Sequence, residues 1–280
     1  MADSSSKKRK AAPDSEKSAQ NKRVRDKKQW RTPRKEGMAS RGIEAGDVGI
    51  WITCDMKKQS KCAAECRDLF EEYATKLYGA SHDAAAAESG DAEDGEADIE
   101  AEIQQELEAI RKPTEEPLFT QIKIETECLV FFKTRPPIEP VSFVHAICKD
   151  AANSAGQKQS RFIKRLTPMT VMGKATDKGI DEMAAEVLKP HFHTPGTGAK
   201  KFAIRPTLRN NKTDRLVLIK RVAEAVGPGH PVDLTSPDVT VLVEVYQNVC
   251  GMSVVGSDYE QLKRYNIAEI YEPTAKKQSE

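Results

Sequence analysis

Between Lys158 and Arg221 the chain sets 15 lysines and arginines against 5 aspartates and glutamates, in a protein of 280 residues whose formal net charge is only +1. Cations at that density suit one chemistry above others, the holding of nucleic-acid phosphates, where arginine offers a planar fork of donors and lysine a point charge. Arg161, Lys164, Arg165, Lys174, Lys200, Lys201, Arg205 and Arg209 fall at the ends of expected elements or in the connections between them. Asn210 and Asn211 add amide donors suited to sugar or base edges. The helix starts expected after Lys174 and after Lys212 would add backbone N–H groups for phosphate. Any one of these cations alone reads as a solvated surface charge. As a set, interleaved with regular apolar periodicity, they point to a folded module with one positive face that holds RNA.

Other chemistry-bearing residues give weaker patterns. Cys62 and Cys66 have a spacing of four, but both lie on the apolar face of an expected helix and no His/Cys pair follows at finger spacing. His191 and His193 form the only close histidine pair, just after an expected helix end and without a third ligand at a recognisable distance. No metal and no cofactor are expected. Phe162 and Phe202 have the ring faces needed to stack on bases, yet their strand positions favour the core.

The elements that must position the cations follow from periodicity and charge. Residues 1–45 carry 14 positive and 6 negative groups with few large apolar residues, so a disordered basic tail is expected. Its clusters Lys7–Lys10 and Lys22–Lys28 have the composition used for nuclear import and loose RNA contact, and equally that of a solubilising tail; a nuclear, nucleolar location is the expectation. Residues 81–116 carry 2 positive and 13 negative groups. Within them 80–97 reads as an acidic insertion, and Ile99, Ile103, Leu107 and Ile110 mark an amphipathic helix ending before Pro113. Six scattered cysteines and the lack of a signal sequence or of an apolar run of membrane-spanning length suggest a reducing interior and no membrane partner.

Order is expected from Gly46. Gly49–Cys54 is of strand length, and Cys62, Cys66, Leu69, Phe70, Tyr73 and Leu77 trace one helix face closed by Gly79. Leu118–Ile124 and Cys128–Phe132 form a hairpin, and a helix starts at Pro140 and runs through Ala151. Arg161–Lys174 is a strand-like passage. The order β-α-β-β-α-β over 46–174 is the ferredoxin-like arrangement. A second unit reads α-β-α-β-β. Its first helix runs from an N-cap at Thr176 or Asp177 to a stop before Pro190. A strand over Lys201–Arg205 is closed by Pro206. Another helix is capped by Thr213 and stopped by Gly227-Pro228, and strands follow over 239–245 and 250–255.

Three segments then carry a resemblance: Arg161-Phe-Ile-Lys-Arg-Leu-Thr-Pro168; Lys201-Phe-Ala-Ile-Arg-Pro-Thr-Leu-Arg-Asn-Asn211; and Val232-Asp-Leu234 through Leu242-Val-Glu-Val-Tyr246 with Cys250-Gly-Met-Ser-Val-Val255. Together they resemble the stand-alone THUMP-domain proteins of eukaryotes, the Tan1 type, over roughly residues 46–270. The resemblance implies an α+β chain with an N-terminal ferredoxin-like domain followed by an α/β THUMP domain. The expected division is a tail over 1–45, the first domain over 46–160, the THUMP domain over 161–256 with a start near 145 also open, and a C-terminal tail over 257–280. It implies a function as well: gripping the acceptor end of tRNA as a non-catalytic adaptor. The adaptor would present serine and leucine tRNAs to an RNA cytidine acetyltransferase that makes N4-acetylcytidine.

The competing reading is an RNA-modifying enzyme with its own active site on the module. A deaminase would need H-x-E with P-C-x-x-C, and a nucleotide-binding loop would need G-x-x-x-x-G-K-[ST]; neither pattern occurs. The glycines at 173, 179, 196 and 198 fall in unrelated connections rather than in one turn after a first strand. No small-molecule substrate is expected.

Overall fold

The computed structural model describes residues 42–82, 117–154, 158–196 and 198–272. The basic tail up to residue 41, the acidic insertion beyond His82 and the helix expected over Ile99–Ile110 lie outside the described residues.

Strands β1 (Gly49–Cys54), β2 (Phe119–Ile122), β3 (Leu129–Thr134) and β4 (Ile163–Met169) form an antiparallel sheet in the order β2-β3-β1-β4. Central β1 is almost wholly buried, which is why Gly49-Ile-Trp-Ile-Thr-Cys54 reads as a continuous apolar run rather than an alternation. Helix α1 (Gln59–His82) buries Cys62, Cys66, Leu69, Phe70 and Tyr73 as its periodicity required, whereas Leu77 stays 43% exposed. It also runs past the expected stop at Gly79, since one glycine costs a helix only about 1 kcal/mol. Helix α2 (Pro140–Asn153) starts with proline where no partner for an N–H is needed. The Glu139 carboxylate accepts from the N–H groups of Val141 (3.0 Å) and Ser142 (2.6 Å).

The passage Arg161–Lys174 is two strands serving different sheets. β4 pairs antiparallel with β1, Gly49 lying opposite Met169 and Thr53 opposite Arg165. After Thr170, β5 (Val171–Lys174) pairs instead with β8 (Val249–Gly256) of a second sheet. The break between sheets therefore falls at Thr170, not at the expected 161, because Ile163–Met169 completes the first sheet.

The second sheet has the order β5-β8-β7-β6, with β6 (Phe202–Arg209) parallel to β7 (Val239–Tyr246), and β7 antiparallel to β8. Helix α3 (Asp177–Phe192) is capped by the Thr176 hydroxyl, which accepts from the Gly179 N–H at 3.2 Å. It continues through Pro190, expected to lie beyond it, and buries Phe192. Pro206 likewise does not close β6. Phe202 donates its N–H to Pro231 and accepts from Asp233, away from β7. Pro206 has the same strand parity, so on this edge strand its missing N–H breaks no ladder bond. Helix α4 (Arg215–Val226) is capped by Asp214 rather than Thr213, and ends at Gly227, whose φ of 83° suits glycine.

Alternation along β7 joins the two units. Val241, Val243 and Val245 pack with Cys250, Met252 and Val254 beneath α3 and α4, while Leu242, Tyr246 and Val255 belong to the core of the first sheet. Trp51 and Tyr246 meet with ring centroids 5.5 Å apart. A Cβ at Gly251 would fall 2.5 Å from Met172 Sδ and 2.7 Å from Met169 Sδ, so a side chain there would push both methionines aside. Residues 257–272 do not form the expected tail. After β8 the chain returns to the first unit through a short 3-10 turn (Lys263–Tyr265) and α5 (Ile267–Tyr271), burying Tyr259, Leu262, Tyr265 and Ile267 in its core.

Candidate nucleic-acid interface

Strand β6, about 25 Å long for eight residues at a rise of roughly 3.3 Å each, carries Arg205 and Arg209, with Lys200 and Lys201 just before it and Asn210 and Asn211 just after. Its C-terminal end is tied across the joint. Arg209 donates through a terminal guanidinium nitrogen to Glu244 Oε2 at 3.0 Å on β7. Burial pushes the Glu244 carboxyl above its ordinary range, opposed by Arg209, the Thr207 hydroxyl and the charge of Arg165. Asn210 donates its side-chain amide to Thr126 Oγ1 (2.9 Å), and Thr126 donates to the Tyr246 hydroxyl (3.2 Å). Asn211 donates to the Gln247 carbonyl (2.5 Å) and accepts from the Thr213 N–H (2.6 Å). These asparagines thus brace the turn before α4, with donors already in use.

Midway along β6, Arg205 donates to the Leu234 carbonyl (3.1 Å) and to Glu260 Oε1 (2.9 Å). Glu260 also accepts from Arg264 Nε at 2.7 Å. Burial works to raise the Glu260 carboxyl, but Arg264 and Arg205 outweigh it and hold it below its ordinary value. The Nε atoms of Arg165 and Arg205 are buried and find no hydrogen-bond partner among the described residues. Counting Arg165, Arg205, Arg209 and Arg264 against Glu244 and Glu260, the seam between the sheets carries a surplus of two positive charges, and arginine forks that are only partly used.

The N-terminal end of β6 is organised differently. Lys201 forms an ion pair with Asp233 (3.2 Å), and its N–H donates to Asp238 (2.8 Å). The Lys200 N–H donates to His230 Nδ1 (3.1 Å). Both lysines are therefore held against the 230–238 loop of their own unit. Arg161 and Lys164 sit at the start of β4, where Lys164 pairs with Asp55 at 3.3 Å. Lys174 is exposed at the end of β5, three strands away from β6. Lys174 and Lys200 make no side-chain ion pair among the described residues. The structure brings together Arg165, Arg205, Arg209, Asn210 and Asn211, and keeps Lys200 and Lys201 at the opposite end.

One expected donor set is already occupied. The Asp214 carboxylate accepts from the first N–H groups of α4, Leu216 at 2.6 Å and Val217 at 3.3 Å, so that helix start is not open to phosphate. Phe202 is buried in the second core, and Phe162 packs half-buried against the first. Glu244 escaped the reading of the sequence although it left a signal, a lone acid inside Val-Thr-Val-Leu-Val-Glu-Val. Thr126 left none.

Metal chemistry finds no footing in these residues. Cys62 and Cys66 lie with their sulfurs 3.9 Å apart in the core, and burial pushes the Cys66 thiol up. Cys54 beside them is pushed up to about 12, first by burial and then by Cys62. His193 Nε2 lies 3.0 Å from the Val226 carbonyl, and burial with the charge of Lys200 lowers the pKa of His191. No group of three or more His, Cys, Asp or Glu among the described residues could hold a metal ion. No helix among them is long and apolar enough to cross a membrane.

The THUMP domain model matches residues 174–255, from the end of β5 to the end of β8. Over 267 residues the chain is 33% identical to the tRNA acetyltransferase TAN1 of Saccharomyces cerevisiae, covering 87% of this chain and 92% of that protein. It is 34% identical over 247 residues to THUMP domain-containing protein 1 of Bos taurus, covering 86% and 68% of the two chains. A Schizosaccharomyces pombe protein, described as uncharacterized, is 30% identical over 231 residues, covering 82% and 78%. A THUMP match on the second sheet, together with similarity that runs through both units, makes this chain a member of the family of TAN1 and THUMP domain-containing protein 1.

Proposed function

We propose that the chain is a tRNA-binding adaptor that presents serine and leucine tRNAs to an RNA cytidine acetyltransferase for N4-acetylcytidine formation. The observation that carries this is the similarity to a protein named tRNA acetyltransferase TAN1 over 92% of that protein's length. The cationic seam supports the binding half. An acceptor stem is recognised by shape, phosphate and 2′-OH contacts, and arginine forks held by two packed units form a rigid frame for such contacts. Arg161, Lys164, Arg165, Lys174, Arg205 and Arg209 are the proposed phosphate ligands, with Asn210 and Asn211 bracing the turn beside them. Lys200 and Lys201 form a separate, outlying group.

In this reading the first unit, residues 46–169 with the returning segment 257–272, is a ferredoxin-like domain. The support is its element order β-α-β-β-α-β and the strand order β2-β3-β1-β4. The THUMP domain then covers 171–256, and the basic clusters Lys7–Lys10 and Lys22–Lys28 direct the protein to the nucleus and nucleolus. The name of the yeast relative favours a second reading, in which the chain itself transfers acetyl groups.

Purified chain, tRNA and acetyl-CoA, with and without the RNA cytidine acetyltransferase, separate the two. The adaptor reading expects acetylated tRNA only when the acetyltransferase is present, and more of it when the chain is added. Acetylation by the chain alone would overturn it. In a binding assay, replacing Arg161, Arg165, Arg205 and Arg209 by alanine should weaken tRNA affinity and flatten its salt dependence by roughly 0.7–0.9 in log–log slope per lost contact. Unchanged affinity in a folded variant would move the grip elsewhere.

A further inference from the structure

The first unit adds three lysines from outside the basic stretch after Lys158, and these gather beside Arg161 and Lys164. β1 ends at Cys54, and the turn Asp55-Met-Lys-Lys58 leads into α1. The register Cys54 with Ile163 places this turn beside the start of β4. Lys57, Lys58 and Lys61 from the turn and the first helical residues thereby join Arg161 and Lys164. Lys61 Nζ lies 5.7 Å and the Arg161 guanidinium 5.6 Å from the centroid of the Phe162 ring. These contacts hold two long side chains near one aromatic and lower the ordering cost of any ligand that uses them.

The acids nearby do not cancel the cluster. Glu65 engages both carboxylate oxygens with backbone, accepting from the N–H groups of Arg161 (2.7 Å) and Phe162 (2.9 Å). Asp55 pairs with Lys164, and with no other cation among the described residues. Five cations against these two acids leave a surplus of three charges; the adjoining turn adds Lys123, Glu125 and Glu127, which brings it to two. Lys57, Lys58 and Lys61 make no ion pair among the described residues.

A second observation is conformational. Lys57 has a φ of 61°, a left-handed backbone that glycine adopts without strain. The same conformation recurs at Cys128 (64°), Asn210 (52°) and Gln247 (50°). Hydrogen bonds join the neighbouring turns: the Cys54 N–H, at the end of the strand before Lys57, donates to the Cys128 carbonyl at 3.1 Å, Thr126 accepts from Asn210, and Asn211 donates to the Gln247 carbonyl. Left-handed non-glycine residues carry strain, and they stand in the turns at Lys57, Cys128, Asn210 and Gln247 and in the segment Lys263–Tyr265.

We infer that the β1–α1 turn is a second phosphate-binding arm for RNA. Lys57, Lys58 and Lys61, with Arg161 steadied on Phe162, contact a backbone segment other than the one held by the seam arginines. This rests on the tRNA-binding reading above. The bound RNA then touches both units, and its position is fixed by two separated phosphate contacts.

The test measures tRNA affinity of the full chain across a salt series, for the wild type, for Lys57→Ala/Lys58→Ala/Lys61→Ala, and for Arg165→Ala as the seam control. The triple variant should bind roughly 10- to 100-fold more weakly near 0.1 M salt, with a log–log slope lower by about 2. Replacement of the same three lysines by arginine should restore both. Lys57→Gly supplies a readout that a structural role would not give, because relief of the strained backbone should raise the unfolding midpoint while tRNA affinity falls. Normal affinity and slope in the triple variant, with Arg165→Ala impaired, would overturn the second arm and leave the tRNA-binding reading standing. A wild-type chain without measurable tRNA affinity would remove that reading and the arm with it.

Discussion

The two ends of β6 carry the same kind of residue in opposite circumstances. At the C-terminal end Arg209 faces the buried Glu244, and Asn210 reaches Thr126 in the other unit. At the N-terminal end Lys201 meets the Asp233 carboxylate on the surface of its own unit. Asp233 is held below its ordinary range first by the Ser236 and Thr235 N–H groups and only then by Lys201. One ion pair therefore sits in the joint, where an unpaired partner would stay desolvated, and the other sits where water can replace either member. A basic residue in a strand has no fixed structural meaning; the depth of its counter-ion decides whether its loss threatens the fold.

Truncating the deep pair should break this contrast most visibly. Arg209→Ala leaves Glu244 buried without its main partner, and a loss of about 2–3 kcal/mol is expected in urea unfolding. Adding Glu244→Gln should return part of that loss, since a neutral amide is cheaper to bury than an uncompensated carboxylate. A double variant no more stable than Arg209→Ala would show that the pair is not what Arg209 contributes.

A smaller effect is expected from the bridging hydroxyl. Thr126→Val keeps the shape of the side chain and removes both the acceptor for Asn210 and the donor to Tyr246, for roughly 1–2 kcal/mol. It should also loosen the β6–α4 turn, read as faster amide exchange at Asn210 and Asn211. Unchanged exchange would mean the turn holds without the first unit.

Acidification distinguishes the two seam carboxylates. Glu260 has a folded pKa below its ordinary value, so its contribution is complete above the unfolded value of 4.5 and disappears as pH falls through the lowered one. Glu244 is shifted the other way and takes up its proton earlier in the folded state than in the unfolded one, so its contribution grows on acidification. Glu260→Gln should flatten the acid limb of the stability profile, and Glu244→Gln should steepen it. The same response in both variants would contradict these opposed environments.

The smallest change belongs to the exposed pair. Lys201→Ala should alter unfolding free energy by about 0–1 kcal/mol. A loss as large as that of Arg209→Ala would erase the difference between the two ends of β6.

Much of this was legible in the sequence because it is local. The helix face Cys62, Cys66, Leu69, Phe70 and Tyr73, the hairpin of β2 and β3, the Pro140 start of α2 and the β7–β8 pair all follow from side-chain period and from what proline and glycine do to a backbone. Boundaries were less legible where propensity met tertiary context. Gly79, Pro190 and Pro206 are breakers by type, yet each lies inside an element, Pro206 because edge-strand parity leaves its nitrogen without a ladder partner.

The site divides in the same way. Composition alone shows that the stretch after Lys158 is rich in cations, and which residue types stand there. Tertiary structure decided which of them act together. It sent β4 to one sheet and β5 to the other, returned the C-terminal segment to the first core, and set Glu244 and Glu260 opposite Arg209 and Arg205. Charge is a property of each residue, whereas burial, pairing and open hydrogen-bonding capacity belong to what the fold brings alongside. That is why Lys201 and Arg209, eight positions apart along one stretch of chain, differ in role.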